Sequence, residues 1–147
     1  MIDDLLDTIR NIAWDLGIGW EVAQLHPEQS PLVDTGRRLI ILNSNWPNKR
    51  EMPFQAAHEL AHVINGDVGT YYYTRERTDS RIEGSANRQA LKILVPLYFQ
   101  SIDRENANVQ QFMVDLSIPS WLEPKAEETI GAFYCRLCKT SGGDVDD

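Results

Sequence analysis

The chain has 147 residues, of which 42% are hydrophobic and 24% are charged, and its formal net charge is −8. This length suits one domain with a core of ordinary size, which we place at residues 1–140. The acidic balance argues against nucleic-acid binding by the whole surface, and no apolar run is long enough to cross a membrane. The two cysteines, Cys135 and Cys138, are too few for a disulfide framework. The N-terminus also lacks the basic and apolar regions of a secretory signal, so we expect a cytoplasmic protein.

The first third of the chain is predicted to contain a helix and two strands. Apolar residues recur every three or four positions over residues 2–16, and Gly17 is a natural helix stop. The segment 20–25 alternates apolar and polar residues, as a half-buried strand does. Residues 37–43 form a strongly apolar strand after a turn signal at residues 34–36. The order of strand, turn and strand predicts an antiparallel hairpin or meander.

A helix is predicted over residues 53–65, after a connection rich in Asn and Pro. Pro53 suits the first helical position, where its missing N–H costs nothing. Gly66 suits the left-handed position that often ends a helix. Residues 67–81 carry no clear periodicity and are predicted to form a surface loop.

The second half of the chain is predicted to be helical. A helix over residues 81–95 should stop before Pro96, since proline disrupts a helix interior. Two more helices are predicted at residues 105–116 and 124–139, so that about 101–140 forms a helical C-terminal part. The last residues, 141–147, are acidic and glycine-containing and are predicted to form a disordered tail.

Two of the three histidines lie four residues apart in the segment AAHELAHVINGD. On a helix His58 and His62 project from one face, at a separation from which both imidazoles can reach one zinc ion. Glu59 is rotated about 100° from His58 and is placed to touch a water molecule beside the ion. This is the logic of the H-E-x-x-H motif, with two ligands and a base. The alternative is two packing histidines that happen to share a helix face.

A catalytic zinc site needs a third protein ligand. His26 is one candidate, but it lies in a proline-flanked turn. Glu83 is favoured because it begins the next predicted helix, which the preceding loop is long enough to bring across the first. Asn87 follows on the same face, where its amide would brace a ligand histidine. The alternative role for Glu83 is a carboxylate that stabilises its own helix N-terminus.

The segments FQAAHELAHVI and EGSANRQALKILVP resemble the two signatures of the ImmA/IrrE family of zincin-like metallopeptidases. The resemblance implies Zn²⁺ held by His58, His62 and Glu83, with Glu59 as the catalytic base. It also implies an α+β, zincin-like fold, with a short antiparallel or mixed sheet packed on the two ligand helices and with C-terminal helices. Gln89 departs from the phenylalanine common in the family, which affects the local core rather than the ligands.

The resemblance further implies a peptidase that cleaves a regulatory protein, such as a helix-turn-helix repressor of a phage or mobile element. If the chain is phage-encoded, its cytoplasm is that of the host. The alternative is a metal-bearing module that binds a repressor or antirepressor without cutting it. A DNA-binding regulator is a third and weaker hypothesis, because of the acidic charge.

Two further groups of residues are noted without an assigned role. The tyrosines Tyr71, Tyr72, Tyr73 and Tyr134 are candidates to stabilise an oxyanion, although packing is the commoner use of such side chains. A basic patch surrounds the second ligand helix and would attract an acidic substrate segment, unless it is an ordinary solvated face. Its members are Arg75, Arg77, Arg81 and Arg88.

Overall fold

The structure is a computed structural model that describes residues 1–142, with side chains described as far as residue 137. The predicted α+β class is confirmed, because helices and one sheet build the described chain together. The helices are α1 (Ile2–Asp15), α2 (Met52–Ile64), α3 (Arg81–Phe99), α4 (Val109–Asp115) and α5 (Glu123–Gly142). The strands are β1 (Gly19–Ala23), β2 (Leu32–Asp34), β3 (Leu39–Asn43) and β4 (Thr70–Tyr72).

The sheet is mixed, with the strand order β1-β3-β2-β4. The predicted antiparallel pairing of the first two apolar strands is wrong, because β1 and β3 run parallel. An additional strand, β2, lies between them in the chain and pairs antiparallel with β3 and β4. Because β2 has three residues and only Val33 among them is buried, it carries no detectable alternation of polar and apolar residues.

Residues 70–72, which were predicted to lie in a surface loop, form the edge strand β4. The strand has three residues, and it is defined by its hydrogen bonds to β2 rather than by a pattern in its own sequence. Backbone bonds on either side of it, from Thr35 N to Gly69 O and from Tyr73 N to Pro31 O, continue the pairing with β2. A propensity argument over three residues could not have found it.

The prediction that the second ligand helix stops before Pro96 is also wrong, because α3 continues to Phe99. Proline removes one helical hydrogen bond and strains the preceding turn. Phe99 is 1% exposed, and its ring centroid lies 5.5 Å from that of Phe112 and 6.1 Å from that of Tyr134. Burial of this aromatic cluster outweighs the local cost of the proline.

The C-terminal part is helical, with bounds that differ from those predicted. Residues 104–106 form a 3₁₀ helix, and α4 begins only after Asn108, whose side chain accepts a hydrogen bond from Gln111 N. Helix α5 continues through Ser141 and Gly142, which were assigned to the tail. Residues 143–147 lie outside the described residues, and the boundary of a single domain at residue 140 stays a prediction.

Helix α2 occupies the centre of the described fold. Every residue from Met52 to His62 is buried. Helices α1 and α3 and the sheet all contact it. A helix enclosed on all sides shields its polar side chains from bulk water, so the histidines and the glutamate of α2 lie in a low-dielectric interior. Within the described chain, no helix has the length and apolar character needed to span a bilayer.

Candidate metal centre

The site lies between α2 and α3, which contact each other more extensively than any other pair of elements. Alanines on the facing surfaces allow the two helices to approach closely, since Ala57 and Ala61 of α2 and Ala86 and Ala90 of α3 are fully buried. The short side chains leave room for longer polar groups at the crossing. On each of the two helices, small buried alanines therefore lie next to the site residues.

Glu83 reaches the site from the first turn of α3. Ser80 caps this helix by accepting a hydrogen bond from Glu83 N at 3.2 Å. The spacing Ser-x-x-Glu is that of a capping box, in which the glutamate would return to the backbone N–H of the serine. Here the Ser80 N–H donates instead to Thr78 Oγ1 at 3.1 Å. The carboxylate of Glu83 is thus free to point toward α2.

Three side chains converge at the crossing of α2 and α3. Glu83 Oε1 lies 2.8 Å from His58 Nε2 and 3.2 Å from His62 Nε2. One ligand atom from each of the three residues lies within 4.8 Å of the other two. The structure therefore brings together all three residues predicted as metal ligands. Their assignment as ligands stays a prediction.

The far side of each imidazole is also occupied. His58 Nδ1 lies 2.8 Å from Asn87 Oδ1, the contact predicted for Asn87, and His62 Nδ1 lies 2.9 Å from Asp67 Oδ2. Both partners are acceptor atoms, so each Nδ1 carries the ring proton and donates it. In the neutral tautomer each Nε2 then presents a lone pair toward the Glu83 carboxylate. Three lone pairs converging at hydrogen-bond distance require a cation between them, either a proton or a metal ion.

Asp67 is a site residue that the sequence reasoning missed. Helix α2 ends in a Schellman motif, in which Asp67 N donates to His62 O at 3.0 Å and Gly66 N donates to Val63 O at 3.1 Å. Gly66 adopts the left-handed conformation expected for it, with φ of 77°. The reversal carries Asp67 back onto the last turn of α2, beside His62. The available sequence signal is an aspartate directly after Gly66, the residue that the sequence analysis assigns only to the end of the helix.

Glu59 is completely buried, and neither of its carboxylate oxygens has a hydrogen-bond partner among the described residues. The remaining orphaned buried side-chain atom in that part of the chain, Gln55 Nε2, lies one turn earlier on α2. Burial, followed by repulsion from the Glu83 charge, raises the pKa of Glu59 well above its usual value. A carboxylate held without partners is costly to bury, which is typical of a functional group rather than a structural one.

The hydrogen bonds among Glu83, His58, His62 and Asp67 also shift the pKa values of Glu83 and His62. Burial alone would raise the pKa of Glu83, but hydrogen bonds from His58 and His62 outweigh it and lower that pKa to about 2. Burial would lower the pKa of His62, whereas its bonds to Glu83 and Asp67 raise it above the usual value. Both shifts favour a proton shared between the imidazole and the carboxylate when no metal is bound. A divalent ion would displace that proton.

Two tyrosines flanking the end of β4 enclose the imidazoles. The ring of Tyr71 stacks on His62 with centroids 4.2 Å apart and an interplanar angle of 8°. The ring of Tyr73 meets His58 edge to face at 5.2 Å. Tyr73 is 4% exposed, and burial raises the pKa of its hydroxyl, which therefore stays a hydrogen-bond donor. Both contacts were missed because they depend on the unrecognised strand β4.

The donor set fits a catalytic zinc ion in its chemistry. Two imidazole nitrogens and one carboxylate oxygen are a standard three-residue ligand set, and it leaves a position for water or substrate. The buried carboxylate of Glu59 is close enough to Glu83 to feel its charge, and it has no hydrogen-bond partner among the described residues. His26, the other candidate ligand, is not part of the cluster, and its Nδ1 accepts a hydrogen bond from Glu28 N within its own turn.

Comparison with known families decides the relationship. A family model described as the IrrE N-terminal-like domain, Peptidase_M78, matches residues 9–100. The chain belongs to the IrrE N-terminal-like family. Comparisons with curated proteins and with solved structures found no significant match. Membership in the IrrE N-terminal-like family supports a peptidase, and the His-His-Glu cluster within the matched residues supports a metal-dependent one.

Proposed function

We propose that the chain is a zinc-dependent endopeptidase with a small zincin-like fold. The observation that carries the proposal is the convergence of two imidazole Nε2 atoms and one carboxylate oxygen in the same helix crossing as the unpartnered Glu59. Its substrate is a regulatory protein in the cytoplasm, such as a helix-turn-helix repressor of a phage or mobile element. The family resemblance and the acidic, cysteine-poor composition support this part of the proposal.

The ligand set and Glu59 divide the chemistry of peptide hydrolysis between them. His58, His62 and Glu83 would hold the zinc ion, which would supply a Lewis acid able to lower the pKa of water toward about 7. Glu59 accepts the proton of the attacking water and delivers it to the departing amine. Its raised pKa favours the first transfer, because a more basic carboxylate accepts the proton of the water more readily.

The edge strand β4 supports an extended peptide as substrate. Gly69, Tyr71 and Tyr73 direct their backbone groups toward β2, as the bonds at Gly69 O and Tyr73 N show. The alternate residues, Thr70 and Tyr72, therefore turn their N–H and C=O groups to the free edge of the sheet. A peptide strand pairing there would lie beside the tyrosines that contact both histidines.

Glu59→Gln tests the proposed base. The amide retains the shape of the carboxylate but cannot accept the proton, so we expect cleavage to fall roughly 10²-fold or more. The zinc-loaded protein is incubated with the regulator encoded beside it, and intact masses are followed over time. Glu21→Gln is the matched control, since Glu21 lies on β1 and is exposed.

Cleavage by the Glu59→Gln variant at the wild-type rate would show that the base is wrongly assigned. A stable complex with no cleavage by the wild type would favour the module that binds a regulator without cutting it. These two results differ in the mass spectrum, because only hydrolysis adds a water to the summed fragment masses.

A further inference from the structure

A basic groove lies beside the metal centre, between the start of α3 and the start of α5. Its volume is about 550 Å³. Four cationic side chains line it, together with one acidic side chain, Asp79. The cations are Arg77, Arg81, Arg88 and Lys125. This concentration of positive charge contrasts with the net charge of −8 on the whole chain.

The groove shares a wall with the metal centre. Asn87, which accepts a hydrogen bond from His58, and Gly84, which follows Glu83, both line it. The guanidinium of Arg88 folds back over this turn, since a Cβ built on Gly84 would lie 3.7 Å from Arg88 Nη1. A chain that leaves the metal centre along this side of α3 therefore enters the groove within one helical turn.

The four cationic side chains of the groove form no ion pair that would stabilise the described part of the fold. All four are exposed, and none of them forms an ion pair with a described residue. Arg81 occupies the first position of α3, where the helix dipole disfavours a cation. By contrast Arg75, the remaining arginine of the patch, donates to Ser117 O and approaches Glu51. Folding explains Arg75 but does not explain the other four.

We infer that the groove binds an acidic segment of the protein substrate, beside the peptide bond that is cleaved. Opposite charges fit the unpaired cations, and the Trp121 ring supplies an apolar wall, with its Nε1 held by Arg75 O. A peptide fits better than a nucleic acid, because the net charge of −8 on the whole chain would repel an extended phosphate backbone. The inference rests on the proposed function for its substrate class.

A pair of peptides that differ by one charge tests the groove. Zinc-loaded protein is first given a mixture of random-sequence decapeptides, and the cleaved bonds are identified by mass spectrometry. We expect glutamate or aspartate to be enriched at one position near the cleaved bond. The kcat/KM for a glutamate peptide should exceed that for its glutamine counterpart by up to about fivefold, the upper end for exposed charge pairs, and the ratio should shrink at high salt.

Variants of the groove then assign the preference to its cations. The double variant Arg81→Gln with Arg88→Gln should lower the glutamate-to-glutamine ratio toward one, because it removes two of the four cations. Arg81→Glu should shift the preference toward a lysine peptide. The control is Lys92→Gln with Arg37→Gln, which removes the same charge from exposed positions outside the groove. An unchanged ratio in the double variant would overturn the inference.

A binding measurement separates this inference from the proposed function. Zinc-loaded Glu59→Gln protein is titrated against a fluorescein-labelled dodecapeptide containing four glutamates, and against a labelled dT12 oligonucleotide. If peptides are cleaved without a preference for acidic residues, the inference about the groove is wrong and the proposed peptidase activity stands. Arginine-dependent binding of the acidic peptide without any cleavage by the wild type supports the groove and overturns the peptidase. Tighter arginine-dependent binding of the oligonucleotide overturns the peptide assignment in favour of nucleic acid.

Discussion

Each histidine of the site is oriented through its Nδ1 atom, one by an amide and the other by a carboxylate. Asn87 Oδ1 fixes the tautomer of His58, and Asp67 Oδ2 fixes that of His62. A carboxylate that accepts the Nδ1 proton of an imidazole also makes the Nε2 atom of that imidazole more basic, and therefore a stronger metal ligand. His62 therefore depends on Asp67 for both its orientation and its basicity.

Asp67→Ala should weaken zinc binding about 10- to 100-fold, because His62 loses the acceptor that fixes its ring. The dissociation constant is measured by competition with a chromogenic chelator. Asp7→Ala removes the same charge from an exposed position on α1 and serves as the control. Zinc affinity equal to that of the wild type would show that the contact at Asp67 has no influence on the metal.

For individual residues, the sequence predicts the candidate ligands better than it predicts the residues that contact and orient them. His58 with His62, and Glu83 with Asn87, share a face by helical spacing whatever the tertiary structure. That the two pairs meet is expected from the length of the intervening loop and from the family resemblance. Asp67 lies beyond the helix end, so its position depends on how the chain reverses there. The tyrosine contacts depend in addition on a strand that only its pairing defines.

At the end of α2, the backbone conformation directly determines the position of a residue that contacts the site. Gly66 adopts a φ of 77°, which a residue with a Cβ disfavours. The two hydrogen bonds of this turn also place Asp67. Strain at Gly66 should therefore affect both stability and metal binding.

Gly66→Ala should lower the free energy of unfolding by about 1 kcal/mol or more and weaken zinc binding as well. Denaturant titration of the metal-free protein gives the first quantity, and chelator competition gives the second. Gly131→Ala is the matched control. Gly131 is an exposed helical glycine of α5 with no atom within 4 Å of an added Cβ, so alanine should stabilise there. An equal, stabilising effect at both positions would contradict the assigned role of Gly66.

The elements differ in how far the sequence predicts them. Helices α1, α2 and α5 are long and periodic, and their predicted bounds lie close to those observed. Strands β2 and β4 have three residues each, too few for periodicity to show. The continuation of α3 past Pro96 depends on burial of Phe99, a tertiary effect that outweighs local propensity.

For the whole molecule, the metal centre and the core share the same elements. Helix α2 contributes its histidines to the site and its apolar side chains to the core, and α3 contributes Glu83 and a row of buried residues. An ion bound by both helices would stabilise their packing, because it binds the folded state only. The basic groove opens on the same crossing, so the proposed substrate contact and the proposed metal chemistry would meet at one place.

The metal content of the purified protein is the most direct test of this account. Mass spectrometry of the metal in protein of known concentration should find one zinc ion per chain in the wild type and in Glu59→Gln. It should find essentially none in His58→Ala, which loses a ligand. A full complement of zinc in His58→Ala, or no zinc in the wild type after incubation with the ion, would contradict the central claim that His58, His62 and Glu83 bind the metal.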